Sequence, residues 1–423
     1  MTDSDVEDIF LDPVTPTAGP AKFAKLVKLR GKNKKTLEKS TTQLSSVEPS
    51  ASKKNTDAFQ NLPVKCTKSV ILDLGTWSLK AGFAGDPRPC CEVPSLVERE
   101  PRRRVYKMGF VGKGTAEEPK VNPLHKGVVT DWDALEKLLR HIFDTELHVP
   151  IEEHAILLSD PPLSPTSNRE RFAEFMFETL STPAMHIAQQ SVLSVYSYGK
   201  TTGLVVDCGH GSSHVVPVYN GYQLPGETGR VDYGGQSLNT YLTSLFQNTR
   251  QTVSGSCGFN DKLLDDIKRK SCYVPVDTNT DRSPGQVEYS LPDGTTLTLD
   301  EEKYLCPEAL FQPSLLGSVE PGLPTLIMNS VNRCDIQLKS DILQNILVCG
   351  GSTMFRGFPE RLQWEMDHLV PMSSATVVAV PERQNAVWLG GSILASLDSF
   401  QSLWVQRQDY EERGAFVIYQ KCF

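Results

Sequence analysis

The chain has 423 residues, with 43 lysines and arginines against 51 aspartates and glutamates, and a net charge of −8. That acidic balance speaks against a broad nucleic-acid or membrane-surface role carried by bulk charge. No apolar run approaches the roughly 18 residues that a membrane span needs. Its 39% hydrophobic residues and 30 glycines are those of a globular protein, and at about 150 residues per domain the length suggests two or three domains. The 10 cysteines are scattered, with only Cys90 and Cys91 close together and no CxxC spacing. A zinc site or disulfide framework is therefore not expected, and reduced thiols in cytoplasm or nucleus are. The start, Met1-Thr2-Asp3-Ser4-Asp5, lacks the basic and apolar regions of a secretory signal.

Residues 1–66 read as a disordered extension. An acidic tip (Asp3, Asp5, Glu7, Asp8, Asp12) precedes a lysine-rich stretch from Lys22 to Lys39 and a Ser/Thr-rich run from Ser40 to Ser52. There is little here to bury. Phe23, Leu26 and Val27 fall on one side of a short helical turn among lysines, the pattern of a partner-binding or anionic-lipid peptide. A solvated tail is the alternative.

Order is expected from about Cys66. Ser69-Val70-Ile71-Leu72 is a buried strand running into the tight turn Asp73-Leu74-Gly75-Thr76. Thr130-Asp131-Trp132-Asp133 reads as a helix cap, followed at helical spacing by Leu135, Leu138, Leu139, Ile142 and Phe143. Ser167-Asn168-Arg169-Glu170 reads as a capping box before Phe172, Phe175 and Met176. Gly203–Val206 and Ile346–Cys349 are two further apolar strands. Strands alternating with capped helices predict an α/β fold.

One unit occurs twice. Val70-Ile71-Leu72-Asp73-Leu74-Gly75 and Leu204-Val205-Val206-Asp207-Cys208-Gly209 are each an apolar strand followed by Asp-x-Gly. Two such turns facing each other can hold a polyphosphate. Their backbone N–H groups meet the oxygens, and Asp73 and Asp207 orient waters around a divalent cation. A single Asp-x-Gly is common; the pair, with a later strand ending in Gly350-Gly351-Ser352, is more specific.

At these residues the chain resembles the actin family. Lys80-Ala81-Gly82-Phe83-Ala84-Gly85-Asp86, Gly127-Val128-Val129-Thr130-Asp131-Trp132, Thr182-Pro183-Ala184-Met185, Cys306-Pro307-Glu308-Ala309-Leu310, Gly390-Gly391-Ser392-Ile393-Leu394-Ala395 and the ending Lys421-Cys422-Phe423 carry the likeness from about Thr67 onward. It looks most similar to the divergent actin-like proteins of testis and sperm. The resemblance implies a two-lobed α/β ATPase fold with nucleotide in the cleft and two inserted subdomains. One lobe would span 67–197 and 386–423 with an insert at 95–122, the other 198–385 with an insert at 234–318. ATP with Mg or Ca is the implied cofactor. Asp73, Gly75, Thr76, Lys80, Asp207, Gly209, His210 and Gly211 would face the phosphates, with Asp73 and Asp207 toward the metal. Lys268, Gly350, Gly351, Ser352 and Phe355 would face the nucleoside, and Gln190 and His214 would position the attacking water.

Several positions depart from the family. Trp77 stands where a small residue is needed; its ring either obstructs the phosphate loop, with strain if φ is positive, or turns outward and packs on a neighbouring hairpin. His210 replaces an aspartate, Arg269 a glutamate that accepts from the ribose, Gln384 a lysine along the adenine, and Lys126 a histidine behind the phosphates. At about 1–3 kcal/mol for each unsatisfied or clashing group, these changes together would erase micromolar affinity. Weak or lost ATP binding and no efficient hydrolysis are expected. The stretch Val97–Phe110, shorter than in actin and rich in arginine, speaks against ordinary filament assembly. The expected role is a structural, cytoskeletal binding platform in male germ cells, its partners proteins such as actin or actin relatives, with no direct nucleic-acid binding. An ATP-binding switch that co-assembles with actin, or a nuclear subunit of a chromatin-remodelling complex, remain the alternatives.

Overall fold

The computed structural model of the chain describes residues 68–99, 106–107, 120–249, 259–277, 285–291, 294–371 and 375–422. The expected extension at 1–66 and the basic residues Arg102, Arg103 and Arg104 lie outside them.

Two mixed sheets form the frame. The first runs Val405–Gln406, Ala184–Gln189, Ile156–Asp160, Val70–Leu74, Ser78–Phe83, Cys91–Pro94. The second runs Tyr222–Gln223, Ser213–Tyr219, Gly203–Cys208, Ile346–Cys349, Val377–Val378, with Gly229–Val231 also on Ser213–Tyr219. The central pairs are parallel: Ile71 lies beside Leu157, and Val205 beside Leu347. Parallel strands are covered on both faces, which is why they read as unbroken apolar runs. Every residue of Val70–Leu74 and of Ile346–Cys349 is buried. The expected α/β architecture is what the chain adopts.

Each sheet contains the same antiparallel hairpin, in the same register. Asp73 sits opposite Lys80 in the first, and Asp207 opposite His214 in the second. The repeated strand-Asp-x-Gly unit is thus a structural repeat as well.

Two helices lie between the sheets. Gln190–Ser197 and Ala386–Ala395 pack with Ile71 and Leu157 of one sheet and Val205, Val216 and Leu347 of the other into one apolar cluster. Gly390 lets them touch, since a Cβ there would stand 1.8 Å from the Leu193 carbonyl oxygen. Trp388, fully buried, donates from Nε1 to the Ile71 carbonyl at 3.2 Å.

Two helix starts differ from the reading of the sequence. The cap of Trp132–His141 is Asp131, whose carboxylate accepts from Ala134 N at 3.0 Å; Thr130 instead donates to the Pro123 carbonyl. The next helix begins at Thr166, not after Ser167. Pro165 holds extended backbone, and its carbonyl takes the N–H groups of Asn168 and Arg169, so Ser167 lies inside the helix and no side-chain cap forms. Smaller elements follow the same frame: a three-stranded sheet of Val97–Arg99, Tyr106–Lys107 and Lys120–Val121, and the helices Gly235–Asn248 and Asp261–Ser271.

Gly390→Ala tests the crossing between the sheets. The added methyl cannot fit without parting the helices, and overpacking of this kind costs about 1–3 kcal/mol. A clearly lowered midpoint of thermal unfolding is expected; an unchanged midpoint would show that the crossing yields freely.

Candidate functional site

The two hairpin turns face each other at the C-terminal edges of the sheets, where open α/β sheets take ligands. Between them lies a cavity of about 380 Å³. Of the residues expected to face a ligand, Asp73, Gly75, Thr76, Lys80, Gln190, Asp207, Gly209, His210, Gly211, His214, Lys268, Gly350, Gly351, Ser352 and Phe355 all line it. So do Trp77, Lys126, Arg269 and Gln384.

The peptide planes of the first turn are set by residues that the sequence reading did not single out. The Gly75 carbonyl accepts from Ser95 Oγ at 2.7 Å, Thr76 from Asn122 Nδ2 at 2.7 Å, and Trp77 from Ser95 N at 3.0 Å. In a trans peptide the N–H points opposite the C=O, and no cis peptide occurs among the described residues. The N–H groups of Thr76, Trp77 and Ser78 therefore turn toward the cavity. The second turn is built likewise. The Gly209 carbonyl accepts from Gly235 N at 3.0 Å and Ser352 Oγ at 2.8 Å, and the His210 carbonyl from Gln236 N at 2.8 Å. The N–H groups of His210 and Gly211 turn the other way. Convergent backbone donors of this kind make an anion cradle.

The carboxylates sit deeper. Asp73 accepts from Ser159 Oγ at 2.8 Å, and that hydroxyl accepts from Leu74 N at 3.1 Å and from Gln190 Nε2 at 3.2 Å. Gln190 is thus tied to Asp73 through Ser159, the penultimate residue of the buried strand Ile156–Asp160. Loss of water around Asp207, and then the neighbouring Asp73 carboxylate, push its carboxyl up to about 6, against the pull of Lys80. Two neighbouring carboxylates that share the single lysine Lys80 fit a hydrated divalent cation. Lys80 holds the Gln384 carbonyl at 2.9 Å and stands 3.7 Å from Asp73. Gly350, at φ +90°, closes on Asp207: a Cβ there would meet Oδ1 at 2.3 Å.

His214 is buried, and its Nε2 has no hydrogen-bond partner among the described residues. Burial, then Arg230, lowers its imidazole to about 3. It is neutral and has one unused polar atom beside the cavity, which suits a water or phosphate oxygen. The donors present thus fit Mg-ATP at the phosphate end.

The departures do not. Trp77 is half-buried and its ring points into the cleft, with its centroid 4.8 Å from that of His210. The ring does pack on the neighbouring hairpin, through His210, and it does so at the cavity that both residues line. The backbone is not strained there: positive φ occurs at Lys126, His148, Leu163, Ser181 and Asn220 among the described non-glycine residues, not at Trp77. His210 is held neutral, lowered to about 4 by burial and then by Lys268. Lys268 is buried and spends its Nζ on the Gly235 carbonyl at 3.1 Å. Arg269 pairs with Asp265 at 2.8 Å; it is a donor only, at the position where the resemblance implies an acceptor for a ribose. Arg383, also unanticipated, is buried and clamps Thr353 through Nη2 at 2.6 Å to its carbonyl.

The family model described as Actin matches residues 64–423. The chain is 47% identical over 374 residues to "Actin-like protein 7A" of Rattus norvegicus, covering 85% of this chain and 84% of that protein. It is 46% identical over 393 residues to the Homo sapiens protein of the same name, covering 89% of each. It is 46% identical over 395 residues to "Actin-like protein 7B" of Homo sapiens, covering 88% and 94%.

The raised Asp207 carboxyl has a signed consequence. The folded state holds this proton more tightly than the unfolded chain, so ionisation costs stability; the cost is absent below about pH 4 and complete above about pH 6. Asp207→Asn should therefore raise stability at pH 7.5 by up to about 2–3 kcal/mol, with the gain fading toward pH 4. Chemical denaturation across that range checks it; a variant less stable at pH 7.5 would show that the carboxylate is already well compensated.

Proposed function

The chain belongs to the actin family, and from that premise we propose that it is a cytoskeletal protein of male germ cells that uses the actin scaffold as a binding platform for protein partners, with weak or lost binding of Mg- or Ca-ATP. The observation that carries this reading is the Trp77 ring. It lines the cavity between the two turns and meets His210 across it, so it competes for the space where a polyphosphate would have to lie within about 3 Å of their N–H groups. Arg269, locked to Asp265, adds a second mismatch at the nucleoside end. The names of the relatives and the testis-type resemblance support the germ-cell setting. The retained cradle and the unpartnered His214 Nε2 favour a second reading, an ATP-binding switch that co-assembles with actin.

Calorimetric titration of the full-length protein separates the two. The platform reading expects no saturable heat below about 0.1 mM Mg-ATP, near 5.5 kcal/mol of binding. Trp77→Gly should tighten binding at least about tenfold, and more than His210→Asp or Arg269→Glu alone. Micromolar binding by the unaltered protein would establish the switch instead.

The short stretch after Val97 bears on assembly. Under salt conditions that polymerise actin, the pure protein should stay in the supernatant on ultracentrifugation; ordered filaments in the pellet would contradict the platform reading.

A further inference from the structure

Trp77 and His210 come from different sheets, and their rings meet in the seam between them. Behind that contact lies a second one. The strands Leu124–His125 and Val128–Val129 are joined by Lys126-Gly127, with φ of +49° and +84°. This two-residue turn holds positive φ at both positions, the geometry that usually selects Asn-Gly. A lysine tolerates it poorly, so its presence needs a reason. Lys126 Nζ reaches Asp232 Oδ2 at 2.8 Å. Asp232 follows Gly229–Val231, which belongs to the second sheet, whereas Leu124 and Val129 pack in the core of the first. Asp232 also receives Arg230 Nε at 3.1 Å, and its backbone N–H donates to Glu320 at 3.2 Å.

The two contacts share one scaffold. Gly127 N donates to Thr76 Oγ1 at 3.0 Å, so the turn that carries Lys126 is fastened to the turn that carries Trp77. Gly211, next to His210, fits against both: a Cβ there would stand 3.1 Å from Lys126 Cα and 3.2 Å from Thr76 Oγ1. Moving the sheets apart breaks the ring contact, the ion pair and this close approach together.

We propose that Trp77–His210, backed by Lys126–Asp232, is a latch that holds the cleft closed with no ligand in it. A ligand closes a cleft only through its stronger affinity for the closed state. Here fixed side chains of the two sheets supply that difference. This inference deepens the reading of a cleft that does not depend on nucleotide, and it rests on that reading. The closed face presented to a partner is then constant, not cycled.

Hydrogen exchange on the full-length protein, after treatment with EDTA and a nucleotide-hydrolysing enzyme, tests it. Exchange of amides that open locally reports the opening equilibrium. Trp77→Ala should speed exchange not only in its own turn but also at Gly209–Ser212 in the other sheet. His210→Ala should do the reverse, each by about 2- to 10-fold, the range of an aromatic pair. The double variant should do no more than either single one, because the contact is already lost. Lys126→Met should act in the same direction on both turns. Effects confined to the altered hairpin, or additive in the double variant, would overturn the latch. Should Trp77→Ala not fold, Trp77→Leu with His210→Ala gives the same cycle. Tight Mg-ATP binding by the unaltered protein would instead defeat the platform reading, whatever the exchange cycle shows.

Discussion

The indole of Trp77 and the imidazole of His210, 4.8 Å apart between the tips of two equivalent hairpins, decide what this cleft can do. Around them the site is conservative. Ser95 and Asn122 hold the carbonyls of one turn outward, and Gly235, Gln236 and Ser352 hold those of the other. That framework would aim backbone donors at a polyphosphate. The ring contact joins the tips of the two hairpins at that same cavity. A donor scaffold and a ring contact across it are therefore present together.

The fold is supported elsewhere, by two sheets of buried parallel strands and by the helices Gln190–Ser197 and Ala386–Ala395 crossing between them at Gly390. The deep carboxylates show what is left over. Asp207 keeps its place beside Asp73 with its carboxyl raised to about 6, a cost that a cation would relieve. His214 keeps an unused nitrogen. These are the features of a cavity with a polar, ligand-ready floor.

Much of this was legible in the sequence. Buried parallel strands must be apolar throughout, so Val70–Leu72 and Leu204–Val206 announced themselves, and the Asp-x-Gly after each fixed the turn. The residues that position the site were less legible. Ser159, Ser95 and Asn122 act only because distant strands bring them beside Asp73 and the first turn. Ser159 alone left a trace, a hydroxyl at the C-terminal end of an apolar strand. The direction of the Trp77 ring could not be read locally, since it depends on His210 in the other sheet. Helix starts were misread where proline backbone outweighed a capping pattern, as at Pro165.

On the proposed reading, side chains of the protein bridge this cleft in place of a nucleotide. Fluorine NMR of the full-length protein labelled with 5-fluorotryptophan reads it directly, with the Trp77 signal assigned by its loss in Trp77→Phe. The tilted contact with His210 should give that signal a distinct ring-current shift that stays unmoved as Mg-ATP rises to about 0.1 mM, since weaker binding leaves the site mostly empty. A Trp77 signal that moves and saturates at micromolar Mg-ATP would contradict the account.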